Sequence, residues 1–175
     1  MDGHCDKLKL AAAIIIPNIG SFVQKHYVEG LKVPGGPCWY TNLKKPWYTP
    51  PNYVFPPMWL AMYTSMGYAS YLVWRDGNGF NDRTACAFLW YGSHLISQVV
   101  WSPIFFKHHS MKWSFIDISI STAAAIGTAV TFYNINETAG KILIPHLVWM
   151  GFLTFWNYVT YKKNTGGSDK EIKEN

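Results

Sequence analysis

The chain has 175 residues, enough for one domain, of which 14% are charged, 49% hydrophobic and 17% aromatic. A soluble domain usually carries about 25% charged residues, so this composition argues against a protein that folds in water. The net charge of +5 is distributed among the connections between apolar stretches, which argues against a nucleic-acid-binding surface and indicates a membrane topology.

Five apolar stretches, numbered span 1 to span 5 in chain order, are candidates for helices that cross a membrane, which takes roughly 20 mostly apolar residues. They are residues 10–24, 52–74, 84–106, 113–135 and 142–161. Spans 2, 3 and 5 contain no Asp, Glu, Lys or Arg, and span 4 contains only Asp117. Span 1 is short and includes Pro17 and Asn18, but beside four clear spans we count it as the fifth. We predict an all-α membrane protein, a bundle of five transmembrane helices.

The connections between the spans differ in length and composition. The first, roughly residues 25–51, is rich in Gly and Pro but also in Trp and Tyr, so we expect an ordered loop that folds over one end of the bundle. The later connections, around residues 75–79, 107–110 and 134–136, are short, which predicts that spans 2 to 5 are antiparallel neighbours. Residues 1–163 form the predicted membrane domain, and residues 164–175 form a polar, disordered tail.

The basic residues predict the orientation in the membrane, because five crossings place the two termini on opposite sides. On the side of the N-terminus are Lys7, Lys9, Arg75, Arg83 and Lys141. On the other side are Lys25, Lys32, Lys44, Lys45, Lys107, Lys112, Lys162, Lys163, Lys170 and Lys173. Cytosolic loops carry the excess of Lys and Arg. Ten basic residues against five therefore predict a cytosolic C-terminus.

No pattern of residues predicts a metal site, a cofactor or a hydrolytic active site. Cys5, Cys38 and Cys86 have neither metal nor redox spacing, so we also expect no disulfide framework. The spans contain no paired carboxylates and no nucleophile elbow. The adjacent His108 and His109 lie in a predicted loop, where two solvated imidazoles are a better interpretation than metal ligands.

Several motifs resemble the translocator protein family, also called tryptophan-rich sensory proteins. The sequence WYTNLKKPWYTPP at residues 39–51 is similar to the family signature WYxxLxKPxWxPP. FPPMW at residues 55–59, MGYASYLVW at residues 66–74 and WSPIFF at residues 101–106 follow in the family's order. Asp117, LVW at residues 147–149, and Asn157 with Tyr158 continue the resemblance, which covers about residues 8 to 163 and is closest to animal-type members.

The resemblance implies a five-helix bundle whose cavity binds cholesterol, porphyrins and synthetic aromatic ligands. It further implies a location in the mitochondrial outer membrane, contact with membrane lipid and self-association, for example as a homodimer. Matched positions give ligand-binding roles to Tyr40, Phe55 and Trp59 in the first half of the chain. For some bacterial members, light-dependent porphyrin breakdown has been attributed to two cavity tryptophans, which would be Trp59 and Trp149 here.

Helical spacing predicts three converging faces that could wall a cavity, each mixing large aromatic rings with one or two polar groups. They are His94, Gln98, Trp101 and Phe105 on span 3; Trp113, Ile116, Asp117 and Ile120 on span 4; and Trp149, Leu153, Trp156 and Asn157 on span 5. The alternative for the tryptophans is anchoring at the membrane interface. For His94 and Gln98 it is interhelical hydrogen bonding, and for Asp117 a local ion pair.

The end of span 5 contains a proposed sterol-binding pattern, in which Leu153, Tyr158 and Lys162 supply the aliphatic, aromatic and basic positions. The alternative is an ordinary helix anchor. The leading functional hypothesis is a receptor or carrier for cholesterol and tetrapyrroles. The alternatives are an enzyme for light-dependent breakdown of protoporphyrin IX, with Trp59 and Trp149 facing each other, and a structural membrane scaffold.

Overall fold

The structure, a computed structural model, describes residues 2–29 and 39–165, and every regular element within them is helical. In chain order these are α1 (Asp2–Glu29), α2 (Trp39–Asn42), a 3-10 turn (Asn52–Val54), α3 (Phe55–Asp76), α4 (Asp82–Ser102), a π-helical turn (Pro103–Lys107), α5 (Met111–Ile135), α6 (Glu137–Ile142) and α7 (Ile144–Thr165). The long helices α1, α3, α4, α5 and α7 correspond to spans 1 to 5. The prediction of an all-α bundle of five helices is therefore confirmed.

The predicted break near residues 75–79 is built from turn residues and a helix cap. Asn78 and Gly79 have positive φ angles of 59° and 83°, a conformation that Asn and Gly adopt most readily. The Asn81 side chain then accepts hydrogen bonds from the backbone N–H groups of Arg83 and Thr84. The Thr84 hydroxyl in turn accepts from the N–H of Asn81 at 3.0 Å. This reciprocal cap fixes the start of α4.

Helix α1 is longer than predicted, because it continues through Pro17 and ends at Glu29. The expectation that the loop begins near residue 25 was therefore wrong. Proline removes the N–H that would bond to the Ala13 carbonyl, and that carbonyl oxygen lies against α3 instead. It is 2.5 Å from the position that a Cβ atom would take at Gly67. Close packing on a glycine thus shelters the freed carbonyl, which is how membrane helices tolerate proline.

Part of the first loop and the C-terminal tail lie outside the described residues. This applies to the Gly and Pro run at residues 33–37, to Cys38, and to residues 166–175 of the predicted tail. The described end of α7 is Thr165, two residues beyond the predicted domain boundary. The described part of the loop, from residue 39, does lie over one end of the bundle, as its aromatic contacts show below.

The helices pack in an order that differs from the chain order in one place. Helix α1 lies along α3 and also contacts α4, and α4, α5 and α7 follow as successive neighbours. Helices α3 and α4 approach each other less closely than either approaches α1, so their predicted neighbourhood is wrong. A short connection fixes only the ends of two helices, and α1 occupies the space between their middles. Helices α3 and α7 meet through aromatic side chains.

The bundle has an apolar outer surface and a partly polar interior. Leu60, Leu89, Ile96 and Val148 are exposed on the outside, whereas small hydroxyl side chains such as Ser121 are buried between helices. Within the described residues, Met111–Ile135 and Glu137–Thr165 are long and apolar enough to cross a membrane, with mean hydropathies of 1.5 and 1.3. An apolar exterior around interhelical hydroxyl groups is the usual arrangement in a bilayer.

Candidate ligand-binding site

Aromatic rings from three helices surround a small buried cluster on the side where α3 faces α7. Ile118, Met150 and Leu153 form the buried centre of this cluster. The residues packed around it, here called the aromatic site, are Phe55, Trp59, Trp101, Trp149 and Phe152. Four of the five belong to the set predicted from the sequence, and Phe152 does not. The structure thus brings together predicted residues from α3, α4 and α7.

The rings of the aromatic site make one edge contact and one tilted contact with each other, and two stacks with neighbouring buried rings. The Trp149 ring lies 6.0 Å from Phe55 and 5.4 Å from Phe152 between centroids. Trp101 stacks on Phe105 at 4.8 Å, and Trp59 stacks on Tyr63 at 5.7 Å. Trp59 and Trp149 therefore line the same site, and one face of the Trp59 ring is covered by Tyr63. That these two tryptophans face each other stays a prediction.

Two indole N–H groups in the aromatic site have no hydrogen-bond partner in the described part of the chain. They are Nε1 of Trp101 and Nε1 of Trp149, and both atoms are buried. A buried donor without an acceptor costs about 1–3 kcal/mol, so native proteins leave few of them. Two such donors in one ring-walled site are the arrangement expected if acceptor atoms of a flat ligand complete them.

The described part of the first loop covers the end of this site. The indole N–H of Trp156 donates to the Thr49 hydroxyl at 2.9 Å, and Tyr48 stacks on Phe155 at 6.0 Å. Asn164 exchanges two hydrogen bonds with the Lys44 backbone. Trp156, which the sequence assigned to ligand contact, is buried and holds the loop in place.

Tyr40 lies at the same end of the bundle, one layer away from the aromatic site. Its ring makes edge contacts with Phe105 and Phe106 at 6.3 and 5.9 Å, and Phe105 stacks on Trp101. The Lys45 ammonium group lies 3.7 Å from the Tyr40 ring centroid, a cation–π contact. Burial raises the pKa of the Tyr40 phenol and lowers the pKa of Lys45, because both charged forms lose solvation.

The predicted face of span 4 does not converge on the aromatic site as a unit. Trp113 and Ile120 are each 61% exposed and lie on the outer surface. Asp117 turns toward α4, where its carboxylate accepts a 3.0 Å hydrogen bond from Ser97, and Ile116 is half-buried. Ile118 supplies the contact of α5 with the site. The interpretation failed because large apolar residues gain little from facing inward when the surroundings are lipid.

Below the aromatic site, toward the start of α7, lies a group of buried polar and sulfur-containing side chains. This group, here called the polar floor, consists of His94, Gln98, His146 and Met150. The Nε2 atoms of His94 and His146 are 2.8 Å apart, and the Gln98 amide lies 3.1 Å from the Met150 sulfur. The sequence interpretation included His94 and Gln98 but missed His146 and Met150. Their spacing of four residues, continuing to Leu153 and Asn157, could have revealed them.

The three residues of the proposed sterol pattern do not share one surface. Leu153 is buried in the centre of the aromatic cluster, whereas Tyr158 is 38% exposed. The Lys162 ammonium lies 5.3 Å from the Tyr158 ring, so these two residues form a pair on the outside. Successive helical residues are about 100° apart, which places Leu153 roughly opposite both partners. The prediction that one sterol contacts all three residues was therefore wrong.

The outer surface also carries an apolar groove of about 570 Å³ between α1, α3 and the α6–α7 junction. It is lined by residues that include Ile14, Leu60, Thr64, Tyr68 and Ile142. The groove lies apart from the aromatic site. We regard the aromatic site as the better candidate, because two of its rings carry buried donors without a partner among the described residues, whereas the groove has an almost entirely apolar lining. Among the described residues, no group of three His, Cys, Asp or Glu could hold a metal ion.

Comparison with known proteins gives matches over most of the chain. The sequence profile of the TspO/MBR family matches residues 10–162. Human translocator protein is 36% identical over 152 residues, 87% of this chain and 88% of that protein. Tryptophan-rich protein TspO of Archaeoglobus fulgidus is 30% identical, covering 90% and 97%. Tryptophan-rich sensory protein of Cereibacter sphaeroides is 31% identical, covering 72% and 77%. The chain is therefore a membrane protein that belongs to the TspO/MBR family.

Proposed function

We propose that this protein is a membrane receptor or carrier for flat hydrophobic ligands, with porphyrins in the aromatic site and cholesterol at a separate outer surface. One observation carries the proposal. The site combines aromatic walls with two buried indole donors, on Trp101 and Trp149, that lack acceptors in the described chain. Pockets for small hydrophobic ligands have this composition of apolar walls and a few placed polar groups.

A porphyrin such as protoporphyrin IX matches both parts of the site. Its flat ring system can lie against indole and phenyl faces, and its carboxylates can accept the two indole hydrogens. Hydrogen bonds to a charged group contribute about 1.5–3 kcal/mol each. Space for the porphyrin can come from rotation of the aromatic side chains, because these side chains separate the helices at the site. The helix backbones can then stay in place.

The test is a titration of the purified protein with protoporphyrin IX in darkness. Trp149→Phe and Trp101→Phe keep an aromatic ring but remove the donor, so each should weaken binding about tenfold. Trp90→Phe is the matched control, because Trp90 lies on the lipid-facing side of α4 against Gly127 and should bind like the wild type. Equal affinity in all four proteins would contradict a role for the indole donors.

A second candidate is light-dependent breakdown of protoporphyrin, since Trp59 and Trp149 both line the aromatic site. The titrated samples can be illuminated and followed for loss of porphyrin absorbance. Product formation by the wild type that is lost in Trp149→Phe, at saturating porphyrin, would favour the enzyme. Porphyrin that is bound but bleached no faster than in buffer would favour the receptor or carrier.

Cholesterol is assigned to the outer surface at Tyr158 and Lys162, where an exposed ring and an ammonium group lie together near a helix end. The neighbouring Phe115 ring, 5.5 Å from Tyr158, extends this surface onto α5. A sterol hydroxyl could bond to Lys162 while the ring system lies along the two aromatic side chains. Family resemblance supports this ligand class and also supports self-association.

For localisation we propose the mitochondrial outer membrane, from the family resemblance, with the C-terminus in the cytosol. The basis for the orientation is the ratio of ten basic residues to five between the two sides. Protease added to intact organelles should remove an epitope at residue 175 and spare one at residue 1. The opposite pattern of protection would reverse the orientation and leave the ligand assignments untouched.

A further inference from the structure

Two buried imidazole rings meet nitrogen to nitrogen in the polar floor. His94 on α4 and His146 on α7 are 1% and 2% exposed, and their Nε2 atoms are 2.8 Å apart. The chain separates them by 52 residues, so the pair exists only because α4 and α7 both pack against α5. Neither the porphyrin nor the sterol assignment makes use of it.

Hydrogen bonding determines which nitrogen of His94 carries its lone pair. Nδ1 of His94 lies 2.9 Å from the Ser121 carbonyl oxygen, which can only accept, so Nδ1 is the donor. Nε2 of His94 is therefore unprotonated and acts as the acceptor in its contact with His146. An imidazole that donates one N–H to a backbone carbonyl and offers the other nitrogen is typical of metal-binding histidines.

When the two imidazoles are in direct contact, one nitrogen of His146 has no hydrogen-bond partner in the described part of the chain. If His146 Nε2–H donates to His94, then Nδ1 of His146 is a bare acceptor, and it is buried without a partner in the described part of the chain. The pair is therefore a costly way to join two helices, since one direct hydrogen bond leaves another polar atom unsatisfied. A ligand bound between the two Nε2 atoms would explain why two buried imidazoles meet here.

A soft third ligand lies beside the pair. Met150, one helical turn after His146 on α7, is 0% exposed. Its sulfur lies 3.1 Å from the Gln98 amide nitrogen, which is itself 3.4 Å from Nε2 of His94. The Gln98 amide thus lies between the Met150 sulfur and the His94 nitrogen, and that nitrogen also meets His146. We infer that His94, His146 and Met150 form a binding site for a soft monovalent metal ion of the Cu(I) class.

The charge of the surroundings selects a monovalent ion. The side chains that contact the pair, those of Ser121, Gln98 and Met150, are all neutral. The nearby acid, Asp117, points to Ser97. A divalent ion would bring twice the charge into a low-dielectric interior without a carboxylate to balance it, at about four times the Born cost. Thioether and imidazole ligands also favour Cu(I) over harder ions.

The geometry requires only a small movement. Two nitrogens that each bind a metal at about 2.0 Å with a tetrahedral angle are about 3.3 Å apart. The observed separation of 2.8 Å is about half an ångström shorter, which is within the range of side-chain rotation. A linear two-nitrogen site would need about 4 Å, so the nitrogen separation favours a bent site, in which the Met150 sulfur would exchange its contact with the Gln98 amide for a bond to the ion.

The experiment measures binding of Cu(I) to the full chain in detergent, under anaerobic conditions with bicinchoninate as competitor. All proteins carry Cys5→Ser, Cys38→Ser and Cys86→Ser, so that thiols cannot bind the ion. The reference protein should bind one Cu(I), with two nitrogen and one sulfur neighbours by X-ray absorption. Met150→Leu should lose the sulfur neighbour and bind at least about tenfold more weakly, corresponding to about 1.4 kcal/mol.

Met150→Leu is a conservative core substitution that usually leaves a fold intact, so it carries the test even if His146→Phe does not fold. A folded His146→Phe protein should lose binding altogether. His108→Ala combined with His109→Ala is the matched control. It removes two imidazoles from an exposed loop and should leave the affinity for Cu(I) unchanged. The inference is overturned if the folded reference protein binds no Cu(I), if Met150→Leu binds it unchanged, or if Zn²⁺ binds at the same site equally tightly.

Discussion

The interface of α1 with α3 and the interface of α3 with α7 differ in the groups that make contact. In the first, backbone meets backbone, because Gly67 has no side chain and the Ala13 carbonyl occupies the place where one would be. In the second, the helices are separated by rings, with Phe55 of α3 and Trp149 of α7 meeting edge to face at 6.0 Å.

This contrast indicates where the protein can change shape. Backbones in direct contact can separate only if a whole helix moves, so the α1–α3 interface stabilises one arrangement. Rings that fill a gap can change rotamer while both helices stay in place, so the α3–α7 interface can admit a ligand. The same helix, α3, therefore supports the fold with one face and the proposed site with the other.

The largest expected effect comes from adding one methyl group to the tight interface. In Gly67→Ala, the new Cβ would lie 2.5 Å from the Ala13 oxygen and 2.7 Å from the Ile14 Cα, so α1 must move. Overpacking of this kind costs about 1–3 kcal/mol, and the thermal unfolding midpoint in detergent should fall. Gly92→Ala is the control, because no atom lies within 4 Å of its Cβ position. Similar midpoints for the two variants would refute the close approach of α1 and α3.

A smaller effect, on binding instead of stability, is expected on the ring-filled side. Trp59→Leu removes a ring contact of about 0.5–1.5 kcal/mol, so porphyrin affinity should fall about threefold to tenfold. Trp149→Leu also removes the indole donor, so its affinity should fall at least about tenfold. Trp74→Leu is the comparison, since Trp74 lies at the end of α3 under the Lys9 ammonium, 4.3 Å from its ring centroid. Porphyrin titrations should show the loss at the first two positions only. Equal losses at all three would indicate a general folding defect.

The smallest effect separates the outer surface of α7 from its inner face. Tyr158→Ser and Lys162→Leu remove an exposed cation–π pair and should weaken cholesterol binding about twofold to fivefold. Porphyrin affinity should remain unchanged, because Trp149 and Tyr158 are nine residues apart, about 13 Å along a helix. Isotherms for both ligands on the same variants decide the matter. Parallel losses would mean one shared site, and an unchanged cholesterol isotherm would leave the pair as a membrane anchor.

The sequence was sufficient to predict the features that the thickness of the bilayer and local composition determine. Three charge-free stretches of bilayer length and a fourth with only Asp117 predicted α3, α4, α5 and α7, and a shorter uncharged stretch beside them predicted α1. The turn residues around Gly77 and Asn78 predicted the end of α3. Trp59, Trp101 and Trp149, which helical spacing and family resemblance assigned to one site, lie around one buried cluster, and their role in ligand binding stays a prediction. These features depend on local composition and on the thickness of the membrane, and both can be read along one chain.

Side-chain direction was less predictable, because in lipid an apolar residue is stable on either face of a helix. Trp113 and Ile120 were therefore assigned inward although they lie outside, and the small residues around Ser121 form the true buried face of α5. The same ambiguity placed Leu153 with Tyr158 on one surface. In water the hydrophobic effect would have sorted these residues, whereas in a membrane close packing and hydrogen bonding sort them.

The amino-acid sequence by itself determined the class of this protein, its five crossings, the loop over one end and the membership in its family. Tertiary structure alone decided that α1 lies between α3 and α4, that two indole donors have no acceptor within residues 2–29 and 39–165, and that His94 meets His146. The physical reason is that the first group of features follows from the local composition of the chain and the fixed thickness of the bilayer. The second group depends on how helices distant in the chain rotate against each other, which single atoms such as the Ala13 carbonyl oxygen determine.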